Sequence, residues 1–383
     1  MMKKLLLFLL LLSSVNFLFS QDILYIHGKI VGNKDSLGIK DVSLLVEHHH
    51  LGTITNNDGV FRFTIDRKYE NDTIIISHLS YKRIKVAIAD ISKDISNTFY
   101  LEEKINNLTE VVIGSDSTYL LLNRAFLNTE KAIIIPVILQ TYYKETVLKN
   151  GNYIVFADAL LDVYIGNIIQ HRINESRVIK ENNITINSNP IQLQSLTNVY
   201  GAISKNKKNA IKTHTYRLEE DNNNKYYIVR VIPNKTSTEI SNLFSANIYI
   251  DKNTMLIMRV EANVSPECIK LIKKQNRDNF QIEFTNIEQV FNYKIIANKL
   301  YLDYSMLKVE LSKHYDSHTD DYTYNDEMQL LNIPVTKHKK FKKRTVFNAN
   351  YIYKSKGNYS YEFWNKANIK RPTEKEQEFI NKH

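Results

Sequence analysis

Apolar side chains fall on every second residue through much of this chain, and clusters of Asn, Asp and Gly interrupt them at short intervals. That pattern constrains the fold more than any other feature, because a period of two is the signature of a strand with one buried face. Val42, Leu44 and Val46 alternate before Asn56-Asn57-Asp58-Gly59, and Val60 or Phe61 with Phe63 or Ile65 alternate after it. Asn, Asp and Gly tolerate positive φ, so the spacing predicts a hairpin closed by a tight turn. Further strands are expected at 24–32, 72–88 and 98–103, and several short strands with regular turns argue for a sandwich.

Beyond residue 114 the alternating runs lengthen, at 152–167, 225–233, 245–264, 280–291 and 299–311. The 245–264 run contains its own turn at Asp251-Lys252-Asn253-Thr254, and short links between adjacent strands imply an antiparallel sheet. Leu122, Ala125, Phe126 and Thr129 share helical spacing and predict a helix over 119–132 that bridges the two halves. Shorter helices are expected at 190–205 and 266–277, the second with Cys268, Leu271 and Ile272 on one apolar face. A 22-stranded membrane barrel would need roughly 200 residues in strands alone, at about 9–11 per strand, before loops and plug are added. The expected fold class is therefore mainly β: an N-terminal β-sandwich, then an α+β domain with a curved antiparallel sheet and a few helices.

Lys3 and Lys4 precede the apolar run Leu5–Leu12, and a second patch, Val15–Phe19, ends at Ser20. This reads as a secretory signal peptide cleaved between Ser20 and Gln21. The residue directly after that point is Gln21 and not Cys, which argues against a bacterial lipid anchor. Cys268 is the sole cysteine, so one chain can build neither a disulfide nor a Cys-based metal cluster; a buried small hydrophobe is the expected role. The net charge of +10 falls to +8 without Lys3 and Lys4, and much of the excess sits in "KHKKFKKR" at 337–344.

Gly28 with Ile30 and Val31, then "GIKDVSLLV", "GTITNNDGVFRF", "IIISHLSYKRIKV", "FYLEE" and "LTEVVIG", follow in order and spacing the pattern of the carboxypeptidase-regulatory-like domain, which this stretch resembles over about 23–114. The resemblance implies a small transthyretin-like β-sandwich of the kind common at the front of exported proteins of Bacteroidetes, TonB-dependent receptors included. It departs at Leu79-Ser80-Tyr81, where the family usually has a Gly before the aromatic. The zinc-binding catalytic domain of the carboxypeptidases is absent, and neither HExxH nor HxxE occurs where metal and base would be needed. In its order "YYKETV", "FADALLDVY", "IYIDKNTMLIMRVE" and the terminal "YSYEFWNKANIKRPTEKEQ", the rest is similar to the uncharacterised C-terminal domain that accompanies this sandwich, loosely akin to lipoprotein-carrier folds. The implied organisation is a signal peptide at 1–20, the sandwich at 21–114, a helical linker at 115–135, the sheet domain at 136–335, and a basic segment and tail at 336–383 packing on the sheet.

Candidate sites are few. "NNDG" fails as an EF-hand because Gly59 in sixth place puts Ile54 first and Ile65 twelfth, and neither binds a hard cation. In the run His48, His49 and His50, only His48 and His50 would share a strand face. His314, Asp316, His318 and Asp320 recur every second residue, so an extended backbone would present all four to one divalent ion; the alternative is a polar loop after the last long strand. Lys337, Lys339, Lys340, Lys342, Lys343 and Arg344 suit either contact with anionic lipid headgroups or the guarding of a strand edge. Trp364, with Tyr361 and Phe363, is expected to anchor the tail on the sheet, and Thr373 with Glu376 to form a capping box.

No nucleophile elbow, phosphate loop or spaced carboxylate pair is legible, so the chain is expected to be a non-enzymatic exported protein of the periplasm or outer membrane, without cofactor. An envelope protein or a lipid-like apolar ligand is the expected partner, with peripheral association to an anionic membrane, and nucleic acid is not. The alternatives are a hydrolase with its site on the second domain, or an accessory to TonB-dependent uptake.

Overall fold

A computed structural model describes residues 23–383 except 50, 79, 105–108, 112–113, 183–188, 197–211, 221–224, 236–237, 278, 335–338, 358, 361–363 and 365–366. It divides into two units, the first formed by residues up to 104 together with 362–373, the second by 105–361 with 374–383.

The first unit contains β1 (Ile23–Gly32), β2 (Ser43–Val46), β3 (Gly52–Ile54), β4 (Val60–Asp66), β5 (Thr73–His78), β6 (Tyr81–Ala87) and β7 (Asn97–Leu101). One sheet has the order β4-β1-β7 and the other β3-β2-β5-β6. Between them lies a core that includes Ile26, Ile30, Leu44, Val46, Phe61, Phe63, Ile65, Ile74 and Ile76. The alternation seen in the sequence is thus realised: Phe61, Phe63 and Ile65 point in, and Val60 points out. At Gly28 an added Cβ would lie 2.1 Å from the Asn97 carbonyl oxygen, so only glycine lets β7 pair in parallel with β1 at this point.

The Asn56–Gly59 turn exists but does a different job from the one expected. It joins β3 to β4, which belong to opposite sheets, so it turns a corner of the sandwich and does not close a hairpin. Asn56 is buried, and its Oδ1 accepts from the backbone N–H of Asp58 at 3.0 Å and of Val60 at 2.9 Å. Gly59 has φ +78°, and a Cβ there would meet the Ile30 carbonyl oxygen at 2.4 Å. The hairpin on the approach is β2–β3, closed through the histidine run, and 72–88 is likewise a pair, β5 and β6.

The tail corrects the expected organisation. Residues 362–373 belong to the sandwich unit, not to the large sheet. Asn368 binds both backbone groups of Thr64, accepting from its N–H at 2.7 Å and donating to its carbonyl at 2.8 Å. Since β4 is a sheet edge, this side chain supplies the partner that a further strand would have supplied. Lys370, buried, reaches Asp41 at 2.8 Å, and Asn56 Nδ2 donates to the Pro372 carbonyl at 3.0 Å. Trp364 is buried in the same unit; Tyr361 and Phe363 lie outside the described residues.

The second unit begins with β8 (Thr109–Val111), so the last block of the sandwich pattern pairs here instead, on β12. Then come β9 (Val137–Lys149), β10 (Asn152–Ile165), β11 (Ile169–Lys180), β12 (His214–Glu220), β13 (Tyr226–Pro233), β14 (Phe244–Asp251), β15 (Ile257–Val264), β16 (Gln275–Asn276), β17 (Gln281–Ile296), β18 (Lys299–His314) and β19 (Thr319–Asn332). They form a 12-stranded sheet in the order β11-β10-β9-β19-β18-β17-β15-β14-β13-β12-β8, with β16 beside β17. All of these pairings are antiparallel. The Asp251 turn forms as expected, its carboxylate accepting from Asn253 N, Thr254 N and Thr254 Oγ1.

Helix α1 (Ser115–Ala132) is no linker. Tyr119, Leu122, Ala125 and Phe126 are buried in the core of this unit, and the Thr129 hydroxyl accepts from Ile257 N at 2.9 Å, fixing the helix to β15. Of the stretch expected to be helical at 190–205, α2 covers Leu193–Leu196 and residues 197–205 lie outside the described residues; in the other, α3 covers Pro266–Ile269, and Cys268 is buried in the core with Leu271 and Ile272 packed against it. The last helix, α4 (Glu374–Lys382), belongs to this unit. Among the described residues no helix is long and apolar enough to cross a membrane.

Candidate functional site

Both faces of the central strands are covered, which is why β10 is buried from Ile154 to Ile165. Successive residues on a strand point to opposite faces, so charged residues in the middle of β9 and β19 are driven into the interior on one side or the other. Lys144 faces α4 and Glu145 faces the segment 347–355.

On the α4 face Lys144 is 1% exposed and reaches Glu376 at 3.0 Å and Glu327 at 3.4 Å. Glu327 also accepts from Tyr304 OH at 3.2 Å and Asn325 Nδ2 at 3.1 Å. Next to it Asp158 accepts from Arg177 at 2.6 and 3.1 Å and from Tyr142 OH at 3.2 Å. Burial pushes the Asp158 carboxyl up, and the Arg177 guanidinium opposes that push. Asp162 is held by Arg172 and, at 3.0 Å, by Asn174. Each charge buried here has an opposite charge in contact, as burial of ions requires. The Glu376 carboxylate thus ties α4 to the sheet, a role the expected capping box did not assign to it.

The opposite face carries a different arrangement. Glu145 and Asp326 stand directly across from each other in the β9–β19 register. Glu145 Oε2 accepts from Ile352 N at 2.8 Å, and Asp326 Oδ2 from Tyr143 OH at 2.5 Å. Glu145 Oε1 and Asp326 Oδ1 are buried without a hydrogen-bond partner, as are the hydroxyls of Tyr324 and Tyr353. Burial, and then the neighbouring Asp326 charge, holds Glu145 well above the usual carboxylate range, and burial pushes Asp326 up to about 8. This acid pair was not legible in the sequence. "YYKETV" and "YNDEMQ" carry charge on both phases of the alternation, which reads as a solvated stretch until both faces are known to be covered.

The four residues expected to face one metal do not do so. β18 ends at His314 and β19 begins at Thr319, so the chain reverses between them and the extended backbone that the alternation needs is missing. His314 binds Glu283 at 2.9 Å and Thr319 at 3.0 Å; His318 stacks on Tyr315, with centroids 4.7 Å apart. Asp320 pairs with Lys149 at 2.8 Å, and Asp316 is exposed in the turn. Among the described residues no group of three His, Cys, Asp or Glu stands together as a metal site. In the histidine run, His49 lies 3.3 Å from Asp72 and against Tyr69, while His50 is outside the described residues.

Lys339, Lys340, Lys342, Lys343 and Arg344 are exposed, and Lys337 lies outside the described residues. Its described part, 339–344, is not a strand. Phe341 anchors it beside β11, the edge of the sheet, through its N–H to Gln170 at 3.0 Å and its ring against Tyr164 and the Arg172 guanidinium.

Two sheets of three and four strands, with β1 pairing in parallel with β7 and a buried Asn–Gly corner, frame the comparison with known proteins. Residues 26–113 match the CarboxypepD_reg-like domain. The CarboxypepD_reg-like domain is followed by a β-rich part holding the large antiparallel sheet. No curated protein matches the chain. Among solved structures, the chain is similar to a LolA superfamily protein, NE2245, from Nitrosomonas europaea, at 11% identity and TM-score 0.21, over 60% of this chain and 99% of that one. It is also similar to MucB in complex with MucA(peri), at 9% identity and TM-score 0.17, over 56% and 94%. A third is a membrane-associated protein of unknown function from Bacteroides fragilis NCTC 9343, at 9% identity and TM-score 0.16, over 81% and 97%.

Proposed function

We propose that this is an exported, non-enzymatic protein of the periplasm or outer membrane, in which the CarboxypepD_reg-like domain is a scaffold or docking module and the large sheet unit binds an apolar ligand or another envelope protein. The observation that carries this reading is how the charged groups on the α4 face of the sheet are used. Lys144, Glu327, Glu376, Asp158 and Arg177 bind one another and fasten a helix and an edge strand, which is the work of architecture. Export is supported by Lys3 and Lys4 ahead of Leu5–Leu12, and by the match over 26–113. The exposed cations beside β11 fit peripheral contact with an anionic surface.

The test is expression with the native leader, followed by fractionation and mass spectrometry of the purified protein. A chain beginning at Gln21 in the envelope fraction, carrying copurified lipid or a stable protein partner, is the expected result. An unprocessed cytoplasmic chain sinks the export reading. The hydrolase alternative has one observation in its favour, the acid pair Glu145 and Asp326; turnover in a broad hydrolase screen that is lost in Glu145→Gln would replace the binding reading.

A further inference from the structure

Glu145 and Asp326 face each other across adjacent strands, and each keeps one oxygen buried and unpartnered while its second oxygen is engaged. No cation contacts either carboxylate among the described residues. Two ionised carboxylates in that position repel, whereas one proton turns two acceptors into a donor and an acceptor. We propose that the pair holds a single proton between Glu145 and Asp326 and acts as a pH-operated latch, keeping the segment 350–355 against the sheet.

The latch is built from the Ile352 N–H, which donates to Glu145 at 2.8 Å, with Ile352 itself wholly buried. The same segment holds its neighbours: Leu193 N donates to the Asn350 carbonyl at 2.9 Å and Tyr351 OH to the Asn189 carbonyl at 3.1 Å. Releasing 350–355 therefore loosens 189–193 as well. Other titratable groups around the pair do not supply the missing charge. Burial raises Tyr143 from β9, Tyr324 from β19 and Tyr351 and Tyr353 from the segment, so they stay neutral. His171 on β11 is pushed down to about 4 by burial and titrates at the acid end. Lys180 on β11 donates to the Tyr353 carbonyl at 2.9 Å and offsets only part of the Glu145 shift, and Glu327 adds negative charge to Asp326. When the shared proton leaves to solvent base, the pair carries two charges in a buried site, and hydration requires the segment to lift.

Amide hydrogen exchange of the full chain, read on peptides covering 350–355 and corrected for intrinsic rate, tests this across pH 8, the region to which burial pushes Asp326. The expected result is acceleration by about tenfold or more on the alkaline side in the wild type. Asp326→Asn, whose amide donates in place of the proton, is expected to abolish the acceleration, and a protonated carboxyl band in the infrared is expected at neutral pH and lost in the variant. Glu145→Gln provides the same test should Asp326→Asn fail to fold. Exchange that ignores pH, an identical alkaline response in the variants, or no protonated carboxyl band overturns the latch. Closure of the alkaline form by calcium or sodium in the wild type alone also overturns it, because the pair would then hold a cation.

Discussion

Lys144 and Glu145 are neighbours in β9, as Asp326 and Glu327 are in β19, yet each pair of neighbours is split between two faces with opposite chemistry. On the α4 face the cation sits between two carboxylates and every charge is matched. On the other face two carboxylates meet with hydroxyls and backbone N–H groups, and with no cation among the described residues. The difference lies in what covers each face and not in depth, since all four residues are almost wholly buried. A covering helix that brings Glu376 creates a network that works with charge; a covering segment that brings tyrosines creates one that works only with a proton.

That contrast can be broken most severely at its cation. Lys144→Met strands Glu327 and Glu376 in a dry site and is expected to cost about 3–5 kcal/mol in denaturant unfolding; a loss under 1 kcal/mol would mean the α4 face is wetter than drawn. Glu376→Gln leaves Lys144 with Glu327, so a smaller loss of about 1.5–3 kcal/mol is expected, with faster hydrogen exchange confined to α4.

The opposite face should respond with the opposite sign. Asp326 is raised from 3.8 to about 8 on folding, so the folded state holds more protons in that window, and stability is present at low pH and lost as pH rises through it. Asp326→Asn removes that loss and is expected to gain on the order of 1 kcal/mol at neutral to alkaline pH. Stability curves for wild type and variant that run parallel from pH 5 to pH 9 would contradict it. As a control on both faces, alanine at Lys339, Lys340, Lys342 and Lys343 is expected to change stability by no more than about 0.5 kcal/mol, because these groups are exposed.

Much of the fold was legible, and the reason is visible in particular residues. Phe61, Phe63 and Ile65 alternate because one face of β4 meets the core, and the long runs from Tyr153 to Leu311 became β10, β13, β14, β15, β17 and β18. What was misread shares one cause: local pattern reports the shape of a segment, not its partner. Asn56–Gly59 was a sound turn whose two strands belong to different sheets. Trp364 was a sound anchor, but in the sandwich unit, and His314 to Asp320 alternate in sequence yet straddle a reversal. β9 and β19, the strands that matter most for the site, were passed over because their Lys, Glu and Asp residues imitate a solvent face.

By itself, the order of side chains determined that this protein is built from strands and where most of them turn, because those properties depend on neighbours a few bonds away. Only the tertiary structure decided that Asn368 completes the edge of β4, that Glu376 meets Lys144, and that Glu145 meets Asp326 with no counter-charge in contact among the described residues. Those pairings join residues separated by well over a hundred positions, and whether a buried group keeps its charge depends on what the folded chain brings against it.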